Sequence, residues 1–355
     1  MVTISLCMII KNEEEVIGRC LSTVHEFVDE IIIVDTGSSD KSKEIVKQYT
    51  DKIIDFKWID DFSAARNASF SQATMDYIMW LDADDILLES DVNAFMKLKE
   101  ELDPSIDMVM MKYNVAFDEE GNPTLSYFRE RLMKRSMNYQ WVSPIHEVIT
   151  PLGNIEYSNI AITHKKMKSS DSNRNLDIFR KMIEKGMPFD ARQQFYYARE
   201  LYYHQLYQDA INEFHNFLDN EFGWVENKIN ACVDLANCCK AMNQPKKQLE
   251  ALFHSFQYEL PRAEICCELG NYFLMDNQLK LAIFWYQQAT NCHKNEKGGG
   301  FINPDCYDFI PTIQLCVCYD KQGDYEKAKE YHLKSKQMKP NHVSVLFNAQ
   351  YFKIK

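Results

Sequence analysis

The feature that most constrains this chain is a fourfold alternation within its first 85 residues: a short apolar run, a polar loop, then apolar residues at helical spacing. Residues 2–10 (VTISLCMII) are β-branched and apolar, and they stop at Lys11-Asn12-Glu13-Glu14. Val16, Ile17, Cys20, Leu21 and Val24 then share one helical face. Residues 30–34 end in Asp35-Thr36-Gly37-Ser38-Ser39-Asp40, whose turn and cap residues lead into a second helix. Residues 52–56 precede Trp58-Ile59-Asp60-Asp61-Phe62-Ser63 and a helix carrying Arg66 and Asn67, with Ser63 as the expected cap. Residues 77–81 stop abruptly at Asp82, Asp84 and Asp85. Strands alternating with helices predict a doubly wound, mostly parallel α/β sheet covered on both faces, with ligands at the carboxyl ends of its strands.

Two carboxylates separated by one small residue at a strand end suit Mg²⁺ or Mn²⁺, which takes oxygen ligands and shares them with substrate phosphates. The alternative is a solvated acidic turn opening the next helix. The glycines of a dinucleotide fold or a P-loop are missing after the first strand. Further on, residues 106–115 (IDMVMMKYNV) read as a strand, residues 119–123 as a hairpin turn, and residues 127–135 as a basic, aromatic stretch. Trp141, His146 and Glu147 follow, and a strand at residues 160–162 ends at Thr163-His164.

From about residue 190 the strands disappear and helix follows helix. A polar, turn-rich stretch at residues 167–175 and a helix at residues 176–185, closed by Gly186 and Pro188, mark the boundary. The expected domains are therefore residues 1–187 and 188–355, and a chain of 355 residues agrees with about two domains. Ala210, Gln248, Ala282 and Ala328 sit in similar contexts spaced 38, 34 and 46 residues apart. That is a degenerate form of the tetratricopeptide period of about 34, with Gly298-Gly299-Gly300 in the long gap. Such repeats form grooves that bind extended peptides. The alternative is a helical buttress or a homodimer surface.

Composition narrows the class. A net charge of −12 argues against a general nucleic-acid binder. No run approaches the roughly 18 apolar residues of a membrane span. Lys11 and Glu13 to Glu15 interrupt the early apolar stretch where a signal peptide would lie. Eleven cysteines, an odd number with no zinc spacing, are expected as small buried thiols in a reducing cytoplasm.

The four motifs KNE, VDTGSSD, DFSAARN and LDADD, in this order and spacing, resemble the family 2 glycosyltransferases of the GT-A fold over residues 1–185. The Trp141-to-Glu147 segment with the later His164 resembles one branch, the sublancin-type peptide S-glycosyltransferases and related enzymes carrying tetratricopeptide repeats. The resemblance implies an inverting transfer from a nucleotide sugar, most often a UDP-sugar, to a Cys, Ser or Thr of a peptide or protein. A polysaccharide or lipid-linked acceptor and a non-catalytic repeat scaffold are the alternatives. It implies that Asp35 hydrogen-bonds the nucleotide base, with Arg66 and Asn67 on the nucleotide side and Asn12 and Glu14 in the first donor loop. Asp82 would contact ribose or metal, and Asp84 and His164 would ligate the cation. Glu147 is the expected general base, with His146 orienting it or touching diphosphate. Arg131 and Arg135 are expected at the diphosphate, and Trp141 as an acceptor or sugar platform. Each has a plainer reading: Asp35 as a turn residue, Asn12 and Glu14 as a helix start, His164 as a strand-end histidine, Trp141 as core.

Overall fold

The computed structural model describes residues 1–118, 120–167, 173–295, 298–300 and 302–354. Residue 119 of the expected turn and residues 168–172 of the expected boundary lie outside the described residues. The chain divides into two compact units, Met1–Pro188 and Phe189–Lys355.

The first unit runs β1 (Ile4–Ile10), α1 (Ile17–Val24), β2 (Glu30–Asp35), α2 (Ser42–Val46), β3 (Ile53–Asp55), α3 (Phe62–Phe70), β4 (Tyr77–Trp80) and β5 (Asp85–Leu87). It continues with α4 (Glu89–Glu101), β6 (Met108–Phe117), β7 (Pro123–Lys134), β8 (Trp141–Val142), β9 (Val148–Ile149), β10 (Ile155–His164) and α5 (Arg174–Glu184). Eight strands form one mostly parallel sheet in the order β3-β2-β1-β4-β7-β6-β10-β5. β1 pairs in parallel with both β2 and β4, so the strand order reverses there. Neighbouring residues alternate between two cores: Leu6, Met8, Ile33 and Met79 on one face, and Cys7, Ile32, Ile78 and Trp80 on the other.

Two sequence expectations change. The stretch at residues 127–135 is not merely basic and aromatic. Most of it lies in β7, which is central and antiparallel to both β4 and β6. Its charges hid it, because Glu130 and Arg131 are buried, Glu130 paired with adjacent Arg129 and Arg131 with Asp85, a partner that the strand pattern does not show. The α3 cap is Asp61, whose Oδ1 accepts from Ala64 N at 2.9 Å, while Ser63 Oγ donates to the same oxygen at 2.7 Å.

Glu30 shows how the sheet ties its amino-terminal edge. Its buried carboxylate accepts from Ser5 Oγ, Lys52 Nζ, and Thr74 N and Oγ1. Burial disfavours the charge, but these donors outweigh it and bring the pKa down to about 2. A depressed carboxylate contributes stability above its ordinary value that is lost as pH falls through the folded value. Glu30→Gln is therefore expected to lower stability at pH 7 by about 1–3 kcal/mol. The gap to the parent, read by denaturant unfolding, should close as pH falls from about 4.5 towards 2. A gap independent of pH would refute the assignment.

The second unit is all-helical among its described residues: α6 (Ala191–Tyr203), α7 (Tyr207–Asp219), α8 (Val225–Ala241), α9 (Pro245–His254), α10 (Ala263–Met275), α11 (Leu279–Asn291), α12 (Phe309–Gln322), α13 (Tyr325–Met338) and α14 (Val343–Ile354). α6 packs on α7, α8 on α9, α10 on α11 and α12 on α13, giving successive helical hairpins. Ala210, Gln248, Ala282 and Ala328 are each buried in the second helix of a hairpin. At Gly270 an added Cβ would lie 2.7 Å from the Tyr286 ring, so only glycine lets α10 and α11 approach this closely. All eleven cysteines are free thiols. Among the described residues no helix is long and apolar enough to cross a membrane.

Candidate active site

The carboxyl ends of β1 and β4, side by side at the point where strand order reverses, open into a cavity of about 590 Å³. Such a crevice is where open α/β sheets bind ligands. Its described wall includes Asn12, Arg66, Asp82, Asp84, Arg129, His146, Glu147 and His164. The two loops behind β1 and β2 lock together. Ser39 N donates to Asn12 Oδ1 at 2.8 Å, Lys41 N to Glu14 Oε2 at 2.9 Å, and Asn12 N to Ser38 Oγ at 2.9 Å. Gly37, at φ +105°, lets the chain turn within this interlock.

The acidic wall is assembled by register. β5 runs antiparallel to β10 and sets Asp85 opposite His164, 79 residues away in sequence. His164 Nδ1 lies 3.4 Å from Asp84 Oδ1, 3.4 Å from Asp85 Oδ1 and 2.9 Å from Tyr113 Oη. Bonding to Asp84 and then Asp85, against the opposing effect of burial, raises the imidazole to about 10. Ligand atoms of Asp84, Asp85 and His164 all fall within 4.8 Å of one another. Asp85 is fully buried and fixed from behind: its carboxylate accepts from Arg131 Nη1 (3.2 Å), Tyr113 Oη (3.0 Å) and Asp82 N (3.1 Å).

The opposite wall is built around Arg66. Its Nη2 donates to Asp82 Oδ1 at 2.8 Å and its Nε to Glu147 Oε1 at 2.7 Å. Burial works against the Asp82 charge, but Arg66, Arg131 and Arg129 outweigh it and hold the carboxyl below its usual range. Glu147 ends a loop with positive φ at Ser143 (76°) and His146 (52°), conformations costly for residues with a Cβ and often found at functional sites. That loop is pinned to α3, because Phe62 N donates to Pro144 O at 2.8 Å. The His146 ring stacks on Phe179 of α5, 6.3 Å between centroids.

The sequence candidates therefore divide. Asn12, Arg66, Asp82, Asp84, His146, Glu147 and His164 meet at one cavity. Asp35 is buried beside it, its carboxylate accepting from Gly37 N and Ser38 N in a turn. Glu14 caps the neighbouring loop through Lys41. Asn67 grips the Trp141 backbone at both its O and N, 2.9 Å each, and Trp141 is buried rather than a platform. Arg131, expected at diphosphate, is wholly buried and turned onto Asp85. Arg135 donates to Met75 O, at the other end of β4. Arg129 of the same strand does reach the cavity, held by Glu130 and lying 5.0 Å over the Trp80 ring. Asp82 turns to Arg66, while Asp85 joins Asp84 and His164. Asp85, Tyr113 and Arg129 were missed as partners. The third carboxylate of LDADD was the one visible signal for Asp85.

Residues 5–152 match the family model for Glycosyl transferase family 2. A TPR repeat-containing protein of Synechococcus elongatus is 36% identical over 150 residues, 42% of this chain and 36% of that protein. The SPbeta prophage-derived glycosyltransferase SunS of Bacillus subtilis is 27% identical over 236 residues, 61% of this chain and 54% of that protein. The chain thus spans about half or less of the length of these curated relatives. A Mycobacterium tuberculosis glucosyl-3-phosphoglycerate synthase solved with Mn²⁺ and UDP-glucose has a TM-score of 0.37 and 16% identity, covering 54% of this chain and 81% of that one.

Proposed function

We propose that this chain, whose residues 5–152 match the Glycosyl transferase family 2 model, is a metal-dependent, inverting glycosyltransferase moving a sugar from a UDP-sugar to a peptide or protein side chain. The observation that carries this reading is the meeting of Asp84 and His164 with Glu147 and Arg129 around one cavity. One wall offers ligands for a hard cation, and the other offers a carboxylate able to take a proton.

Asp84, Asp85 and His164 fit a divalent ion by donor type, two carboxylates and one imidazole whose ligand atoms lie within 4.8 Å of one another. Bound there, Mg²⁺ or Mn²⁺ supplies compensation for charge developing on a departing diphosphate. The chain's own residues do the rest. Arg129 presents a planar guanidinium to diphosphate oxygens. Arg131 and Tyr113 hold Asp85 and His164 from behind. Glu147 uses Oε1 to accept from Arg66, so Oε2 takes the proton of the acceptor hydroxyl or thiol. The acceptor oxygen or sulfur bonds to the anomeric carbon as the bond from that carbon to the diphosphate oxygen breaks, and the electron pair leaves on diphosphate.

A polypeptide acceptor is supported by the helical hairpins of the second unit, since stacked hairpins present concave surfaces to extended peptides. The test begins with a panel of nucleotide sugars and Mn²⁺ or Mg²⁺, read as nucleotide diphosphate release. One UDP-sugar is expected to be hydrolysed slowly, only with metal, and faster when a polypeptide with accessible Cys, Ser or Thr is added. Stimulation by a glycan instead would move the acceptor to a polysaccharide or lipid-linked chain. Metal-independent inertness towards every donor would leave a scaffold.

A further inference from the structure

Arg66 is more than a wall of the cavity. It is nearly buried, and its guanidinium lies against two indoles, 5.0 Å from the Trp80 ring and 4.8 Å from the Trp141 ring. The two indoles are themselves edge to face at 4.9 Å. Trp80 belongs to β4, which carries the Asp82–Asp84 carboxylates, and Trp141 to β8, which leads into the Glu147 loop. The hydrogen bonds to Asp82 and Glu147 use separate nitrogens of one rigid plane. A planar guanidinium bonded to both carboxylates cannot swing towards one without loosening its bond to the other, and no lysine reproduces that fork.

We propose that Arg66 is a positioning residue for the transfer step: it holds Glu147 in register with the acceptor by anchoring it to Asp82, on the donor side. This rests on the glycosyltransferase reading above. Through this bridge the donor wall and the base move as one body, and Glu147 is in place only while Asp82 is. The role differs from nucleotide binding, because loss of Arg66 acts on turnover through Glu147 rather than on donor affinity.

A double-mutant cycle of Arg66→Lys, Glu147→Gln and the pair tests this, with UDP affinity in Mn²⁺ read by calorimetry and transfer read as kcat and KM. Arg66→Lys should leave UDP affinity within about threefold and the acceptor KM near the parent's, while kcat falls by about tenfold or more. The pair should be no slower than Glu147→Gln alone, since residues acting as one unit are not additive. Arg66→Met, which keeps bulk but makes neither bond, should lie below Arg66→Lys in kcat. If Arg66→Met does not fold, Trp141→Phe trims one of the two rings against the guanidinium while keeping both hydrogen-bond partners, and should lower kcat in the same direction. Parallel loss of UDP affinity and kcat, or multiplicative effects in the cycle, would overturn the proposal and leave the transferase reading standing. A parent protein that neither binds UDP nor hydrolyses any nucleotide sugar overturns both.

Discussion

Asp84→Ala is expected to abolish sugar transfer and to weaken Mn²⁺-dependent UDP binding by more than about a hundredfold. Removing mere supporting partners of metal ligands already costs 10–100-fold, so loss of a direct carboxylate ligand costs at least that. The substitution is clean in other respects. Asp84 is partly exposed at the cavity, and its backbone carbonyl, which accepts from Lys165 N at 2.9 Å, is unaffected by truncation. The fold, followed by circular dichroism, should survive. UDP binding without metal should change little, so the parent and variant differ mainly in the increment that Mn²⁺ adds. A variant that bound UDP and Mn²⁺ as the parent does would move the metal away from this wall.

Glu147→Gln is expected to leave UDP binding intact and to slow transfer by roughly 10²–10⁴-fold, the usual worth of a positioned base. The amide keeps the shape and its oxygen still accepts from Arg66 Nε, but it cannot take the acceptor proton. The size of the effect depends on the acceptor chemistry. A serine or threonine hydroxyl needs the base, whereas a cysteine arrives in part as thiolate and needs it less. Paired peptides differing only by Ser and Cys at the acceptor position separate these cases. Equal turnover of parent and variant with both peptides would point to a different base.

Much of the first unit was legible because its inner strands are buried on both faces and so read as unbroken apolar runs: ISLCMII in β1, YIMW in β4. β7 was not, because Arg129, Glu130 and Arg131 place charge in a central strand. Arg129 and Glu130 pair with each other, but Arg131 pairs with Asp85 from elsewhere in the chain, and pairing across tertiary structure has no one-dimensional trace. The site shows the same asymmetry. Asp82 and Asp84 could be named because their residue types fit the chemistry at a strand end, and His164 and Glu147 because their places resemble the family's late histidine and acceptor-side acid. Asp35, Glu14 and Asn67 were named from the same resemblance, and their side chains bond turn backbone and the Trp141 backbone. Conversely, Trp80 and Tyr113 look like plain core, while their rings carry three guanidiniums between them and a hydroxyl directed at His164.

The register that sets Asp85 opposite His164 depends on a strand of three residues at the rim of the sheet. Short terminal strands open more readily than the centre of a sheet, so the free energy for opening here is smaller than for global unfolding. A rare fluctuation that peels Asp85–Leu87 away from β10 therefore takes the acidic cluster apart while β1, β2 and β4 stay paired. Affinity for a cation at this place is then bounded by the fraction of time the rim is closed. A cation bound there would, by the same linkage, favour the closed rim, so that holding the ion and finishing the sheet would become a single equilibrium.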